Sequence, residues 1–364
     1  MSRALEIAVF EGDGIGPEIM APTLKLLDGI SAGTPDYHLD FKTVPAGASH
    51  YAACGAALPQ SSVDAARAAD AVLLSAMGDP AIRYPDGTEV VPQIDLRTEL
   101  DLFAGVRPVR IPPNSLTPLK LPPDRAVDFV LLRESTEGLF FSRGNGSVTE
   151  DEALETLKIT RHKTEQLVRF AIELGRKRHA NGTGTGRVTC VDKANVFRAF
   201  AFFRNVFDRE MQSASDLQAD HAYVDAAALW MVQKPWMFDV MVTENMFGDI
   251  LSDLGAGLMG GLGVAPSADI GHDHAVFQPC HGSAPDIAGQ GIANPFAMIL
   301  SAAMMLDWLG AREGITALNE HARNLQDAVD AVIAERRHIT SDIGGQATTV
   351  EAAEAVALKI KALA

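Results

Sequence analysis

The feature that most limits the fold of this chain is an alternation of short apolar runs with segments of helical periodicity. The runs that we predict as strands are IAVF (7–10), AVLLSA (71–76), DFVLLRE (128–134), RVTCVD (187–192) and FDVMVTE (238–244). Runs that are almost continuously apolar are typical of strands covered on both faces by helices. The sequence therefore predicts an α/β fold with a mainly parallel sheet and flanking helices.

Helix signals lie between these runs. Three helices are predicted from their caps and periodicity: 16–30, which Pro17 opens, 164–179, which ends in basic residues, and 294–310, which Asn294 caps and Gly310 ends. The polar segment 142–161 fits neither a strand nor a helix pattern. We expect it to be an excursion that meets a second subunit.

Composition and charge restrict the possible partners. The chain has 364 residues, with 31 Lys and Arg against 47 Asp and Glu, a formal net charge of −16. This balance argues against a nucleic-acid or anionic-membrane partner. The longest apolar stretch, 296–306, is too short to cross a bilayer. The length suggests two domains or one large α/β unit.

The three cysteines, Cys54, Cys190 and Cys280, are scattered and form no C-x-x-C pair. This usage indicates reduced thiols in a cytoplasmic protein, and a zinc site is not expected. We expect all three to be small buried side chains.

The segment ENMFGDILSDLG (244–255) has the periodicity of an amphipathic helix. Its large apolar residues predict a face turned toward a core: Met246, Phe247, Ile250, Leu251 and Leu254. Asp249 and Asp253 lie four residues apart, so their carboxylates project from one side of the helix and repel each other. A divalent cation would offset that repulsion.

A third acid and several arginines extend this hypothesis. Asp225 lies in the otherwise apolar segment 221–232, and three carboxylates without a Cys or His cluster suit Mg²⁺ or Mn²⁺. Arginine side chains match carboxylates bidentately, and Arg97, Arg107 and Arg133 are candidates for that role. Each residue alone is more often a surface charge, but together they describe a pocket for a polycarboxylate chelated to a cation.

The segment EGDGIGPE (11–18) follows a predicted strand and opens a helix, as a dinucleotide-binding loop does. Its glycine spacing, however, is G-x-G-x-G-P and not G-x-G-x-x-G, so the Rossmann fingerprint is absent. A structural turn and a ligand loop are equally compatible with this segment.

Several long motifs resemble one family end to end: GDGIGPE, DLRTELDLFAGVRPV, DKANV, YVDAAA, TENMFGDILSDLGAGL and HGSAPDIAGQGIANP. The chain resembles the metal-dependent β-decarboxylating dehydrogenases, which act on isopropylmalate, isocitrate, homoisocitrate and tartrate or D-malate. The likeness is greatest to the 3-isopropylmalate dehydrogenases. It implies a 2-hydroxy polycarboxylate substrate, NAD, and Mg²⁺ or Mn²⁺.

The resemblance also implies an architecture. It predicts a two-domain isopropylmalate-dehydrogenase-like fold that is not a Rossmann fold. One domain comprises 1–102 plus 258–364 on the cofactor side, and the other, 103–257, is inserted and carries the dimer interface and an arm at about 142–161. It implies a homodimer with shared active sites, in which Lys193 and Asp225 are given to the partner's site.

Roles follow from the resemblance residue by residue. Arg97, Arg107 and Arg133 match the arginines that bind substrate carboxylates, Lys193 and Asp225 match catalytic residues, and Asp225, Asp249 and Asp253 match metal ligands. The cofactor site matches His281, Gly282, Ser283, Ala284, Pro285 and Asp286, with Asn294 near the adenine and Asn195 near the nicotinamide. An acid at position 286 favours NAD over NADP, because it accepts hydrogen bonds from ribose hydroxyls and repels a 2′-phosphate.

Two departures from the family pattern leave the substrate open. Phe140 stands where members carry a tyrosine after the strand-end arginine, and Val90, Gln93 and Ile94 occupy the substrate-facing positions before Arg97. The alternatives are a tartrate- or D-malate-type dehydrogenase, another 2-hydroxy-acid dehydrogenase of the family, or a catalytically weakened regulatory relative.

Overall fold

The apolar runs predicted as strands belong to one continuous sheet in the computed structural model, which describes residues 2–363. The strands are β1 Arg3–Phe10, β2 Tyr37–Thr43, β3 Ala71–Leu74, β4 Ala104–Ile111, β5 Val127–Glu134, β6 Ser147–Val148, β7 Ala153–Leu154, β8 Arg187–Asp192, β9 Gln218–Tyr223, β10 Val240–Thr243, β11 Pro266–Ile270 and β12 Ala275–Pro279. The helices are α1 Gly16–Ala32, α2 Ala48–Cys54, α3 Gln60–Ala68, α4 Pro92–Glu99, α5 Arg161–Ala180, α6 Arg198–Met211, α7 Val224–Gln233, α8 Asn245–Met259, α9 Phe296–Glu313, α10 Thr316–Glu335 and α11 Thr349–Leu363.

Ten strands form the large sheet, in the order β2-β1-β3-β12-β11-β4-β5-β10-β8-β9. Neighbours are parallel except around β11, which is antiparallel to both β12 and β4, and between β4 and β5. Its central strands are fully buried because helices cover both faces, as for β3 and β10. The predicted α/β class with a mainly parallel sheet is therefore confirmed.

The two halves of the large sheet are built from different parts of the chain. One side, β2-β1-β3-β12-β11, comes from residues 3–74 and 266–279, and the other, β4-β5-β10-β8-β9, from residues 104–243. The predicted division into 1–102 plus 258–364 and 103–257 agrees with this pattern and stays a prediction. The segment 142–161 contains a small antiparallel hairpin of β6 and β7, on which Val148 and Leu154 are exposed.

The buried face of α8 differs from the one that periodicity predicts. Ile250 is 61% exposed, and of the five large apolar residues expected on the core face only Leu251 is fully buried. The buried face is instead built largely from small residues, with Gly248, Ser252 and Gly255 among them. Small side chains let α8 approach β5 closely, which a face of large residues would prevent.

Two smaller predictions are also wrong. Helix α9 continues through Gly310 and ends at Gly314, which takes the left-handed conformation common after a helix end. Cys54 is exposed near the end of α2, whereas Cys190 is buried and Cys280 is half-buried. Among residues 2–363, no helix has the length and apolarity needed to cross a membrane.

Candidate active site

Two of the three predicted substrate arginines converge on one buried carboxylate, that of Asp269 on β11. Arg97 Nε on α4 donates to Asp269 Oδ2 at 2.9 Å, and Arg107 Nη2 on β4 donates to Asp269 Oδ1 at 3.1 Å. Arg107 also donates to the carbonyl of Ala268 at 2.8 Å. The antiparallel pairing of β11 with β4 places these groups side by side.

The charges around Asp269 decide its ionisation. Burial alone raises the pKa of the Asp269 carboxyl, but the positive charges of Arg107, Arg97 and Arg133 outweigh burial and hold that pKa below its usual value. Burial lowers the pKa of Arg133 to about 10, and the nearby Arg97 adds to that shift. The charges of three arginines thus act on the one carboxylate of Asp269.

Arg133 links this group to α8. Its Nε donates to Asn245 Oδ1 at 2.8 Å, and its guanidinium forms an ion pair with Asp249. The guanidinium also lies over the ring of Phe140, 5.1 Å from the ring centroid. The structure therefore brings the predicted carboxylate-binding arginines and the predicted metal ligand Asp249 into one region.

Gly248 permits the close approach of α8 to Arg133. A Cβ atom at Gly248 would lie 2.6 Å from Arg133 Cβ, a distance that real Cβ contacts do not reach. Asp249 and Asp253 consequently project from α8 next to the arginine cluster. Burial raises the pKa of the Asp253 carboxyl, and the charge of Asp249 raises it further, the effect expected of two like charges that share one side of a helix.

Lys193 and Asp225 form a second group. Lys193 follows β8 and Asp225 lies in the first turn of α7, and Lys193 Nζ is 2.5 Å from Asp225 Oδ1. This contact lowers the pKa of the Asp225 carboxyl. Asn195, two residues after Lys193, is exposed.

The three predicted metal ligands do not meet within one chain. No group of three His, Cys, Asp or Glu side chains within residues 2–363 has the geometry of a metal site. Asp249 and Asp253 present an oxygen-only donor pair, which fits Mg²⁺ or Mn²⁺ but leaves a third protein ligand to come from elsewhere.

Two of the predicted cofactor residues, His281 and Asn294, line a small cavity of about 140 Å³. Its lining includes Ile15, His281, Ile287, Asn294 and Asp342. His281 Nδ1 contacts the Gly282 carbonyl at 2.9 Å, whereas its Nε2 is buried without a hydrogen-bond partner among the described residues. An unpartnered ring nitrogen beside an apolar wall suits a planar ligand with polar edges.

The next five residues of this loop do not line the cavity. Ser283 is buried, Ala284 is half-buried with a left-handed φ of +38°, and Gly282, Pro285 and Asp286 are exposed. The exposed side chain of Asp286 is open to solvent and to a ligand. Asn294 is buried, and its Nδ2 donates to Asp342 Oδ2 at 3.0 Å.

Comparison with known proteins decides the family. The family model described as isocitrate/isopropylmalate dehydrogenase matches residues 6–357. The chain belongs to this family. It is 40% identical to the 3-isopropylmalate/3-methylmalate dehydrogenase of Methanocaldococcus jannaschii, covering 98% of this chain and 99% of that one. It is 42% identical to the 3-isopropylmalate dehydrogenase of Streptococcus thermophilus, covering 96% and 98%.

A solved structure of the isocitrate/isopropylmalate dehydrogenase family has the same fold. The isocitrate dehydrogenase of Methylococcus capsulatus superimposes with a TM-score of 0.84 at 33% identity, over 98% of this chain and 99% of that one. Family membership makes the chain a decarboxylating dehydrogenase that acts on a CH–OH group. The resemblance identified from the sequence motifs is confirmed.

Sequence reasoning missed Asp269 as a member of the site of this dehydrogenase. A lone acid in the buried run PSADI was a signal, since a carboxylate inside an apolar strand needs a charged partner. It also missed Asn245, whose amide orients Arg133 and donates to the Glu137 carbonyl at 2.8 Å.

Proposed function

We propose that this member of the isocitrate/isopropylmalate dehydrogenase family oxidises and decarboxylates a 2-hydroxy acid with a β-carboxylate, of the 3-isopropylmalate type. The observation that carries the proposal is the cluster of Arg97, Arg107 and Arg133. The first two bind Asp269, and the third binds Asp249 on α8. The fixed guanidinium groups of Arg97, Arg107 and Arg133 favour a ligand with more than one carboxylate.

The arginines bind and orient the substrate. Arg107 and Arg133 are buried, so their attraction to a substrate carboxylate is weakly screened by water. Arg97 is anchored by its Nε, which leaves its terminal nitrogens free of the Asp269 contact. The β-carboxylate, held by such groups, is positioned for loss as CO₂ once the hydroxyl-bearing carbon is oxidised.

Mg²⁺ or Mn²⁺ on Asp249 and Asp253 would polarise the substrate oxygen as a Lewis acid. Lys193, in its neutral amine form, takes the proton of the substrate hydroxyl, directly or through water. Its contact with Asp225 in one chain fixes Lys193 Nζ beside a carboxylate before substrate binds. Asp225 is both the third metal ligand and a catalytic residue in this proposal.

The shared active site requires a homodimer. Asp225 does not join Asp249 and Asp253 within the described part of one chain, and in this proposal a second copy brings it there. Large exposed apolar side chains are available for such an interface: Val196, Phe197, Leu229, Val232 and Ile250. Exposed apolar side chains just before α6 and on α7 and α8 are typical of an association surface.

NAD is the proposed cofactor and would accept the hydride. Asn294 and His281 bind near the adenine, Asp286 accepts hydrogen bonds from the ribose hydroxyls, and Asn195 lies near the nicotinamide in this assignment. The negative charge of Asp286 disfavours the 2′-phosphate of NADP. A cytoplasmic location completes the proposal, since the three cysteines are all free.

The experiment is a substrate panel with separate detection of NADH and CO₂. The panel contains 3-isopropylmalate, isocitrate, malate and tartrate with Mn²⁺, and each substrate is assayed with NAD and with NADP. We expect both products with NAD and an alkylmalate. No turnover of any substrate would favour a regulatory role, and NADH without CO₂ would identify a plain 2-hydroxy-acid dehydrogenase.

The same assay tests the role of Phe140. A phenyl ring has no proton to give to C3 after CO₂ leaves, so solvent or another acid does so in this chain. Phe140→Tyr should leave NADH formation nearly unchanged and accelerate the later protonation step. A large change in hydride transfer would contradict this assignment.

One observation favours a tartrate-type substrate as the second candidate. Gln93 Oε1 on α4 is buried without a hydrogen-bond partner among the described residues, and it lies one helical turn before Arg97. A hydroxyl at C3 of the substrate would satisfy this oxygen, whereas an isopropyl group would leave it unpaired. Tartrate turnover that falls in Gln93→Leu while alkylmalate turnover rises would establish this candidate.

A further inference from the structure

The segment GDGIGPE (12–18) contacts the backbone of the predicted cofactor loop. Glu18, in the first turn of α1, accepts hydrogen bonds from Gly289 N at 3.1 Å and from Ala293 N at 3.0 Å. The Thr349 hydroxyl at the start of α11 also donates to Glu18, at 2.7 Å. One carboxylate thereby joins three separate parts of the chain.

A second contact holds the other end of the loop. Ile15 N donates to the Ser283 carbonyl at 2.8 Å. Gly14 has a φ of +57°, and a Cβ there would lie 2.0 Å from the same carbonyl oxygen. The backbone of residues 12–18 therefore fits directly against the loop, and only glycine allows this approach.

The loop depends on such contacts for its shape. Residues 281–295 contain turns and no helix or strand. Burial opposes ionisation of Glu18, but hydrogen bonds from Thr349, Ala293, Gly291 and Gly289 outweigh it and lower the pKa of the carboxyl. Glu18 is consequently charged at neutral pH, and charge-assisted hydrogen bonds are the stronger kind.

We propose that Glu18 is a positioning residue that sets the shape of loop 281–293, and through it the affinity for NAD, without contacting the cofactor. The fixed points Ser283, Gly289 and Ala293 are interspersed with the cavity-lining residues His281 and Ile287. This inference rests on the proposed function, because it takes NAD as the ligand of that cavity. The sequence motif that resembles a dinucleotide loop thus acts on the cofactor through a second loop.

The test compares Glu18→Gln with Asp28→Asn, an exposed acid on the same helix. In the absence of cofactor, hydrogen exchange of loop 281–293 should accelerate in Glu18→Gln and stay at the wild-type rate in Asp28→Asn. The dissociation constant of NAD, measured by calorimetry, should rise about tenfold in Glu18→Gln, because hydrogen bonds to a charged group are lost. The kcat at saturating NAD should change by less than about twofold, since the loop does not touch the reacting atoms.

Thr349→Val provides a second variant that removes one donor and keeps the shape. It should raise the NAD dissociation constant less than Glu18→Gln, and the double variant should be no weaker than Glu18→Gln alone, because both changes break the same cluster. Equal NAD affinity and equal loop exchange in wild type and Glu18→Gln would overturn the inference and leave the proposed function intact. Failure of the wild type to bind NAD would instead overturn the proposed function.

Discussion

The fully buried carboxylate of Asp269 binds the guanidinium groups of Arg97 and Arg107. Its side chain is completely buried, whereas the side chains of Arg97 and Arg107 are 12% and 6% exposed. The attraction to both arginines offsets the desolvation cost of this carboxylate, and loss of either arginine would leave that cost uncompensated. The residue therefore connects the stability of the sheet to the shape of the substrate pocket.

Asp269→Asn should lower the free energy of unfolding by about 3–5 kcal/mol, because it leaves buried positive charges uncompensated. It should also weaken substrate binding, since Arg97 and Arg107 lose their common anchor. Urea unfolding and the KM for the substrate measure the two effects. The control is Asp216→Asn, which breaks the exposed pair with Arg176 and should change little; equal losses in both variants would refute the argument.

Glu18 predicts a pH dependence of stability. Its pKa is lowered in the folded protein from the ordinary value of 4.5, so its contribution is fully present above pH 4.5. The contribution is lost as the pH falls through the lowered folded-state pKa. The difference in melting temperature between wild type and Glu18→Gln should therefore be constant near neutral pH and shrink in acid. A difference that grows below pH 4.5 would have the wrong sign.

At the scale of single elements, helix α8 carries both predicted metal-binding aspartates and the residue that orients Arg133. Its N-cap Glu244 accepts from the amides of Met246 and Phe247, its first residue Asn245 orients Arg133, and its exposed side carries the paired aspartates. The position of this helix against β5 is what places Asp249 beside Arg133. A small shift of α8 would separate the aspartates of this helix from Arg133.

Gly248→Ala should produce that shift. The added methyl group meets Arg133 Cβ at 2.6 Å, and such overpacking costs about 1–3 kcal/mol of unfolding free energy. Gly257→Ala on the same helix meets no atom within 4 Å and should stabilise the protein by up to about 1 kcal/mol through helix propensity. Urea unfolding and the Mn²⁺ concentration needed for half-maximal activity provide the measurements. Equal stability of the two variants would show that α8 tolerates displacement.

The sequence predicts elements better than it predicts their faces and partners. The apolar runs at β5 and β8 match the strands closely, because both are long and buried on both faces. The prediction of the packing face of α8 is wrong, because closely packed small residues carry no strong hydrophobic signal. The role of Asp269 depends on β11 pairing with β4, a contact between residues far apart in the chain that local pattern does not contain.

At the scale of the whole molecule, the proposed shared site predicts complementation between two inactive variants. Asp225→Asn and Asp249→Asn should each be inactive as homodimers. In a heterodimer of the two, one site carries both substitutions and the other carries none, so activity should return to about half of the wild-type value.

The matched control is a heterodimer of Asp249→Asn with Asp253→Asn. Both acids lie on α8 of the same chain, so every site in this heterodimer lacks one ligand and should remain inactive. Differently tagged subunits, co-expressed and purified in two affinity steps, give defined heterodimers. Restoration of activity in the control, or none in the first heterodimer, would contradict sharing across the interface.

The position of β3 in the sheet has a consequence for synthesis on the ribosome. β3 pairs with β1, which is made earlier, and with β12, which emerges only after residues 75–274 have been translated. Throughout that interval a fully apolar strand, Ala71–Leu74, presents an open backbone edge on the nascent chain. Such an edge is a template for pairing with neighbouring polypeptides. Holdase chaperones that shield this edge until β12 arrives should therefore raise the yield of folded protein.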